Sequence, residues 1–392
     1  MGAGLDKRAM ATLSAGHLAT DFASGAVPAL LPFLVKRFDL SYALAGLVML
    51  AWAISSSIVQ PLFGLWSDRR GALWLLPTGL ALAGAGVAVA AVAPSYWLLL
   101  VLVTLSGLGT AAYHPEGSKY AAYVSGARRA SGMSLFSVGG NLGYALGPLA
   151  ATALVVTLGL NGGLLLALPG LVVAAALLLA VPYLRSFEPD RHPGSGDAPD
   201  EDRPRALLVL LGVIAFRSVA WFGLLTFVPL FEVARGNSEA YGNRLLAAML
   251  LTGGIGTLVA GPLADRVGRR AVLIASVVAV GPLILVYVLA GGLPGALALA
   301  LVGVCVIGTF GVTIVMSQEY LPRHIALGSG LSIGLSIGLG GVAAVGLGLL
   351  ADAVDLRTAL YVSAAAAVPG ALLSALLPAS GARTRLAARP AV

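Results

Sequence analysis

Charge is scarce in this sequence. Lys, Arg, Asp and Glu make up only 10% of its 392 residues, where a soluble domain carries about 25%. Cysteine is almost missing, and Cys305 alone excludes an intramolecular disulfide framework and any multi-cysteine metal site. The four histidines rule out little, although they form no metal-binding tract; no metal site and no cofactor are expected. Long polar stretches are also lacking: the longest is 186–205, too little for the soluble domain of a receptor. Apolar residues fill the remainder. They reach 58% of the chain, with 51 glycines and a mean hydropathy of +0.94. This composition belongs to an integral membrane protein. The net charge of +7 would fit nucleic acid in a soluble protein. Here it fits basic loops on the cytoplasmic side of a polytopic chain, and no nucleic-acid partner is expected.

Lys7 and Arg8 precede an apolar run that is too long for a signal-peptide core and carries His17 and Asp21. Asp6 stands where an N-myristoylation signal needs Ser or Thr. The run is therefore a first spanning helix. A span needs about 20 mostly apolar residues, and charge and Pro/Gly punctuation predict twelve: 9–35, 41–63, 72–93, 95–119, 130–157, 161–184, 206–231, 240–263, 271–291, 294–321, 326–351 and 356–379. With both termini cytoplasmic, the inner segments hold eighteen Lys and Arg, the outer loops five, and Arg217 alone lies inside a span. The positive-inside rule fixes that orientation. Residues 186–205, rich in Pro, Gly and acids, form a cytoplasmic linker between six-helix bundles at 1–185 and 206–392.

The two bundles repeat one another. Gly64, Asp68, Arg69 and Gly71 in GLWSDRRG recur as Gly261, Asp265, Arg266 and Gly268 in GPLADRVGRR at an offset of 197, as Pro32 does in Pro229. Ser131-Gly132, Gly140 and Gly143 recur as Ser329-Gly330, Gly338 and Gly341 at 198. Paired G-x-x-x-D-R-x-G loops in a six-plus-six chain resemble the signature of the major facilitator superfamily. The resemblance implies an all-α fold of twelve transmembrane helices in two pseudo-symmetric bundles, acting as a transporter and not an enzyme. It also implies that Asp68 and Asp265, with Arg69, Arg266 and Arg269, steady the inward-closed state; a plain turn-forming role is the alternative. Gly139, Gly143 and Gly147-Pro148 sit four residues apart in the fifth span, as Gly330, Gly334 and Gly338 do in the eleventh. Such spacing lets helix backbones approach closely. The fifth-span G-x-x-x-G-P also resembles the motif of drug–proton antiporters.

Ionisable residues inside a membrane are candidate functional sites. They are His17 and Asp21 in span one, His114 and Glu116 in span four, Arg217 in span seven, and Gln318 with Glu319 in span ten. Spans one, four, seven and ten lead the four three-helix units, and the superfamily resemblance places them around a central cavity. Asp21 lies eleven residues before Pro32 and Arg217 twelve before Pro229. The two charges are thus expected at similar depth, paired directly, sharing a ligand, or forming a structural ion pair. His114, Glu116, Gln318 and Glu319 fall toward the cytoplasmic ends, where an inner gate or a proton site is expected. His114 and Glu116 are two apart on a helix, a poor catalytic dyad.

HLATD-x6-PALLPFL, YHPEGSKYA, SLFSVGGNLGYALGPL and QEYLP-x5-GSGL together resemble the fosmidomycin resistance family. These are bacterial exporters of a small phosphonate antibiotic, driven by inward proton flow. The resemblance implies a monomeric antiporter of the bacterial cytoplasmic membrane whose partners are protons, a small anionic substrate and the bilayer. Uptake of a small organic anion or sugar is the alternative.

Overall fold

A computed structural model of the chain describes residues 4–70, 72–126, 129–187, 201–322 and 325–378. Helices account for nearly all of them, with no strand among the described residues. Among the described residues, eleven helices are long and apolar enough to cross a membrane, and Leu75–Ala91 is a shorter apolar one. Each of the twelve predicted spans meets one of these. Lipid offers backbone groups no hydrogen bonds, so a spanning segment must satisfy them internally; helices follow directly from the composition.

The helix starts are set by short polar side chains that accept otherwise unmet N–H groups. Asp6 accepts from Ala9 N at 2.8 Å, Ser41 from Leu44 N, Ser95 from Leu98 N and Asp355 from Thr358 N. The second span is interrupted between Tyr42–Ser57 and Gln60–Arg70, at a point where Pro61 cannot extend the preceding turn. The tenth is interrupted at Thr309, between Gly292–Gly308 and Phe310–Tyr320.

The chain forms two compact units. The first comprises residues 1–196 with 228–247. At its centre the first span, Lys7–Phe38, packs most extensively against the fifth, Arg129–Leu158. The glycine stripe makes that possible. A Cβ on Gly139, Gly143 or Gly147 would collide with the carbonyl oxygen of Ser14, Leu18 or Phe22 respectively. Within the same helix, Thr152 Oγ1 donates to the Pro148 carbonyl at 2.7 Å. From the fourth span, Tyr96–Val124, Tyr113 donates its hydroxyl to the Leu13 carbonyl at 2.6 Å.

The second unit comprises 197–227 and 248–392. Here the expected symmetry fails. Gly330, Gly334 and Gly338 all face open space, with nothing near an added Cβ. Four-residue spacing aligns glycines on a face; it does not determine whether another helix lies against that face. Close approaches in this unit occur instead at Gly303, against the Met249 carbonyl, and at Gly340, against the Phe222 ring.

Candidate functional site

The first and fourth spans bring His17, Asp21 and His114 together in the first unit. One helical turn separates His17 from Asp21, putting their side chains on one face, with His17 Nε2 3.3 Å from Asp21 Oδ2. His114 approaches from the fourth span, its Nε2 3.1 Å from Asp21 Oδ1. The carboxylate is thus gripped at both oxygens. The His17 ring stacks on Phe136 of the fifth span at 4.1 Å and meets His114 edge-on at 5.1 Å. Its Nδ1 lies 2.8 Å from the Phe136 carbonyl oxygen. A carbonyl only accepts, so that nitrogen is assigned as the donor. Gly140 leaves the space that this group fills: a Cβ there would stand 2.5 Å from His17 Nε2 and 2.7 Å from Asp21 Oδ2.

His114 and Glu116 part company, as their two-residue spacing requires. Glu116 is fully buried and pairs with Lys119 at 2.9 Å, one turn along the same helix. In the second unit, Arg217 is buried and donates to Thr309 Oγ1 at 3.2 Å and Thr313 Oγ1 at 3.3 Å. Its guanidinium carbon lies 6.0 Å from the centre of the Phe310 ring. No carboxylate partners Arg217 among the described residues. The partners described for Asp21 lie in the first unit and those for Arg217 in the second.

The loop residues divide unevenly. Gly64 lies in the helix Gln60–Arg70, with only ordinary contact expected for an added Cβ. The side chains of Asp68 and Arg69, and Gly71 altogether, lie outside the described residues. In the second loop, Gly268 has a φ of 97°, a conformation that favours glycine, and it precedes the helix Arg269–Ala290. Gly261 has no such constraint, and Arg266 closes the helix Glu239–Val267. Arg269 reaches Asp265 at 3.5 Å and forms a close ion pair with Glu319. Glu319 is therefore a half-exposed partner of the loop, while Gln318 beside it is only partly buried.

Three participants were not picked out from the sequence. Phe136 contributes a backbone carbonyl and a ring face, and Thr309 and Thr313 are neutral hydroxyls in a chain rich in them. Asn243 is a further buried residue of note. Its Nδ2 donates to the Ala29 carbonyl at 2.9 Å and to Thr152 Oγ1 at 2.7 Å, within the first unit. An uncharged Asn in an apolar helix was the only available signal.

Helices long and apolar enough to cross a membrane, with ionisable side chains buried among them, make this a multi-pass membrane protein. Residues 13–330 match the family model described as Major Facilitator Superfamily, and the chain belongs to that family. It is 32% identical to the MFS-type transporter YfnC of Bacillus subtilis (strain 168), over 92% of this chain and 90% of that protein. It is 28% identical to the fosmidomycin resistance protein of Escherichia coli (strain K12), over 94% and 92%. Among solved structures, a bacterial homologue of the human lysosomal transporter Spinster superposes with a TM-score of 0.76 at 16% identity, covering 97% of this chain and 98% of that one. The transporter FucP gives 0.65 at 18%, covering 94% and 98%. These structural likenesses carry the fold.

Proposed function

We propose that this transporter is a proton-coupled antiporter of the bacterial cytoplasmic membrane, exporting small anionic compounds of the phosphonate type by alternating access. Arg217 carries the reading. A charge near the bilayer centre costs about 2.5–3.5 kcal/mol on insertion scales, and among the described residues this one is met by two threonine hydroxyls and the Phe310 ring, with no carboxylate. An anionic substrate supplies the missing countercharge, and a guanidinium holds a phosphonate or carboxylate with two parallel hydrogen bonds. The coupling proton is assigned to the His17–Asp21–His114 cluster, and the likeness to a fosmidomycin resistance protein supports the substrate class and the outward direction.

Transport into inverted membrane vesicles tests this. With an acidic lumen, a phosphonate should accumulate in the vesicles, and a protonophore should abolish the accumulation. Accumulation in intact cells, with none in inverted vesicles, would assign uptake of an organic anion or sugar instead.

A further inference from the structure

His17 is held in a form that leaves its second nitrogen in conflict with its neighbour. Because Nδ1 donates to the Phe136 carbonyl at 2.8 Å, the neutral ring presents a lone pair at Nε2. That lone pair points at Asp21 Oδ2, 3.3 Å away. Two acceptors facing each other need something positive between them, and a proton is one answer. A metal ion is the other: a ligating histidine characteristically donates its far nitrogen to a backbone carbonyl or carboxylate, which fixes the tautomer and aims the ligating nitrogen.

We infer that His17 Nε2, His114 Nε2 and the Asp21 carboxylate form a binding site for one divalent transition-metal ion. Zinc binds histidine nitrogen and carboxylate oxygen at about 2.0–2.2 Å, so neighbouring ligands around one tetrahedral ion stand about 3.3–3.6 Å apart. The Nε2–oxygen separations of 3.3 and 3.1 Å are at and just below that spacing, and the three ligand atoms all lie within 4.8 Å of one another. The side chains are 14–23% exposed, so the cluster is buried enough to hold its geometry yet open enough to admit an ion. Gly140 keeps any side chain off the Nε2 and Oδ2 atoms. Two imidazoles and one carboxylate favour Zn²⁺, Co²⁺ or Ni²⁺ over Mg²⁺ and Ca²⁺, and three protein ligands leave coordination positions free for water or an anion. No His tract marks these ligands in the sequence: 93 positions separate Asp21 from His114, and the packing of span one against span four joins them.

Binding can be measured on the purified full-length chain without any transport, so the result is independent of substrate and direction. Cobalt(II) chloride is titrated into the protein and the visible ligand-field absorption is recorded. One Co²⁺ per chain is expected, displaced by one equivalent of Zn²⁺ and unaffected by Mg²⁺. His17→Gln and His114→Gln should each weaken binding at least tenfold; if either does not purify as a folded protein, Asp21→Asn takes its place. A wild-type chain with no cobalt spectrum, or variants that bind cobalt as tightly as the wild type, would overturn the assignment.

Discussion

His114 Nε2 sits 3.1 Å from Asp21 Oδ1 while His17 holds the other oxygen of the same carboxylate. A single side chain thereby ties the fourth span to the first. Removing its charge should not open a cavity, because Asn has nearly the same shape. Asp21→Asn is therefore expected to fold and to bind substrate, while losing the link between transport and the proton gradient. In reconstituted vesicles, exchange of substrate across the membrane should persist and gradient-driven accumulation should vanish. Gradient-driven transport surviving in Asp21→Asn would move the coupling role to another carboxylate, with the buried Glu116 next in line.

The glycine stripes of the two halves look alike in sequence and differ in the fold, which gives a paired test. Gly143 faces the Leu18 carbonyl with no room for a methyl group. Gly143→Ala should destabilise the protein by about 1–3 kcal/mol through forced separation of the first and fifth spans. Gly338 faces open space inside the helix Ile325–Ala353. Gly338→Ala should be neutral or stabilising by up to about 1 kcal/mol, since alanine is the better helix former. Thermal unfolding of both variants in one detergent compares them, and equal effects would show that the close approach at Gly143 carries no stability.

That contrast marks what the sequence could reveal. Helix positions were legible because lipid leaves a spanning chain few alternatives, and the His17–Asp21 contact was legible because one helical turn separates the two. Joining His114 to them required the packing of two spans, for which the sequence holds no distance. The Phe136 carbonyl was out of reach for another reason: every residue carries one, so its side chain gives no sign. Arg217 stood out by its charge, whereas Thr309 and Thr313 did not, because a hydroxyl in an apolar helix usually bonds back to its own helix, as both of these also do.

The N-terminal end of the first span offers a test by pH. Asp6 accepts from Ala9 N at 2.8 Å and from the Tyr183 hydroxyl at 2.5 Å, and its own N–H donates to the Val124 carbonyl. The Tyr183 bond, then the bond from Ala9, holds its carboxyl below the ordinary value. A depressed folded-state value stabilises the protein above the unfolded pKa of about 3.9, and that contribution is lost as pH falls through the folded value. Asp6→Ala should lower stability at neutral pH by about 0.5–1 kcal/mol, the low end for a partly exposed cap. The gap between variant and wild type should close in acid. Unfolding midpoints followed from neutral pH down through the carboxylate range would show the gap narrowing, and a gap that does not narrow as the carboxyl is protonated would assign the effect to something other than the ionised cap.

Orientation has its own check. The excess of Lys and Arg on one side predicts that Asn237 is extracytoplasmic. With Cys305 replaced, Asn237→Cys should react with a membrane-impermeant thiol reagent in intact cells, while Ser195→Cys should react only after the membrane is opened. The opposite pattern would invert the topology and with it the direction of transport.

Arg217 gives the sharpest test of substrate chemistry. Its guanidinium is buried and anchored through Nη1 and Nη2 by the hydroxyls of Thr309 and Thr313, which orient the group without neutralising it. A bound anion would complete a buried, hydrogen-bonded charge pair, and truncating one partner of such a pair costs about 2–5 kcal/mol. Arg217→Ala should therefore weaken binding of an anionic phosphonate by about thirtyfold or more. Arg217→Lys keeps the charge but not the planar two-pronged donor, so it should fall between Arg217→Ala and the wild type. Binding of neutral compounds should hardly change in either variant. Calorimetric titration of purified protein with a phosphonate, a carboxylate and a neutral analogue gives the three comparisons directly. If Arg217→Ala binds the phosphonate as tightly as the wild type, Arg217 serves helix packing alone and the anion is held elsewhere.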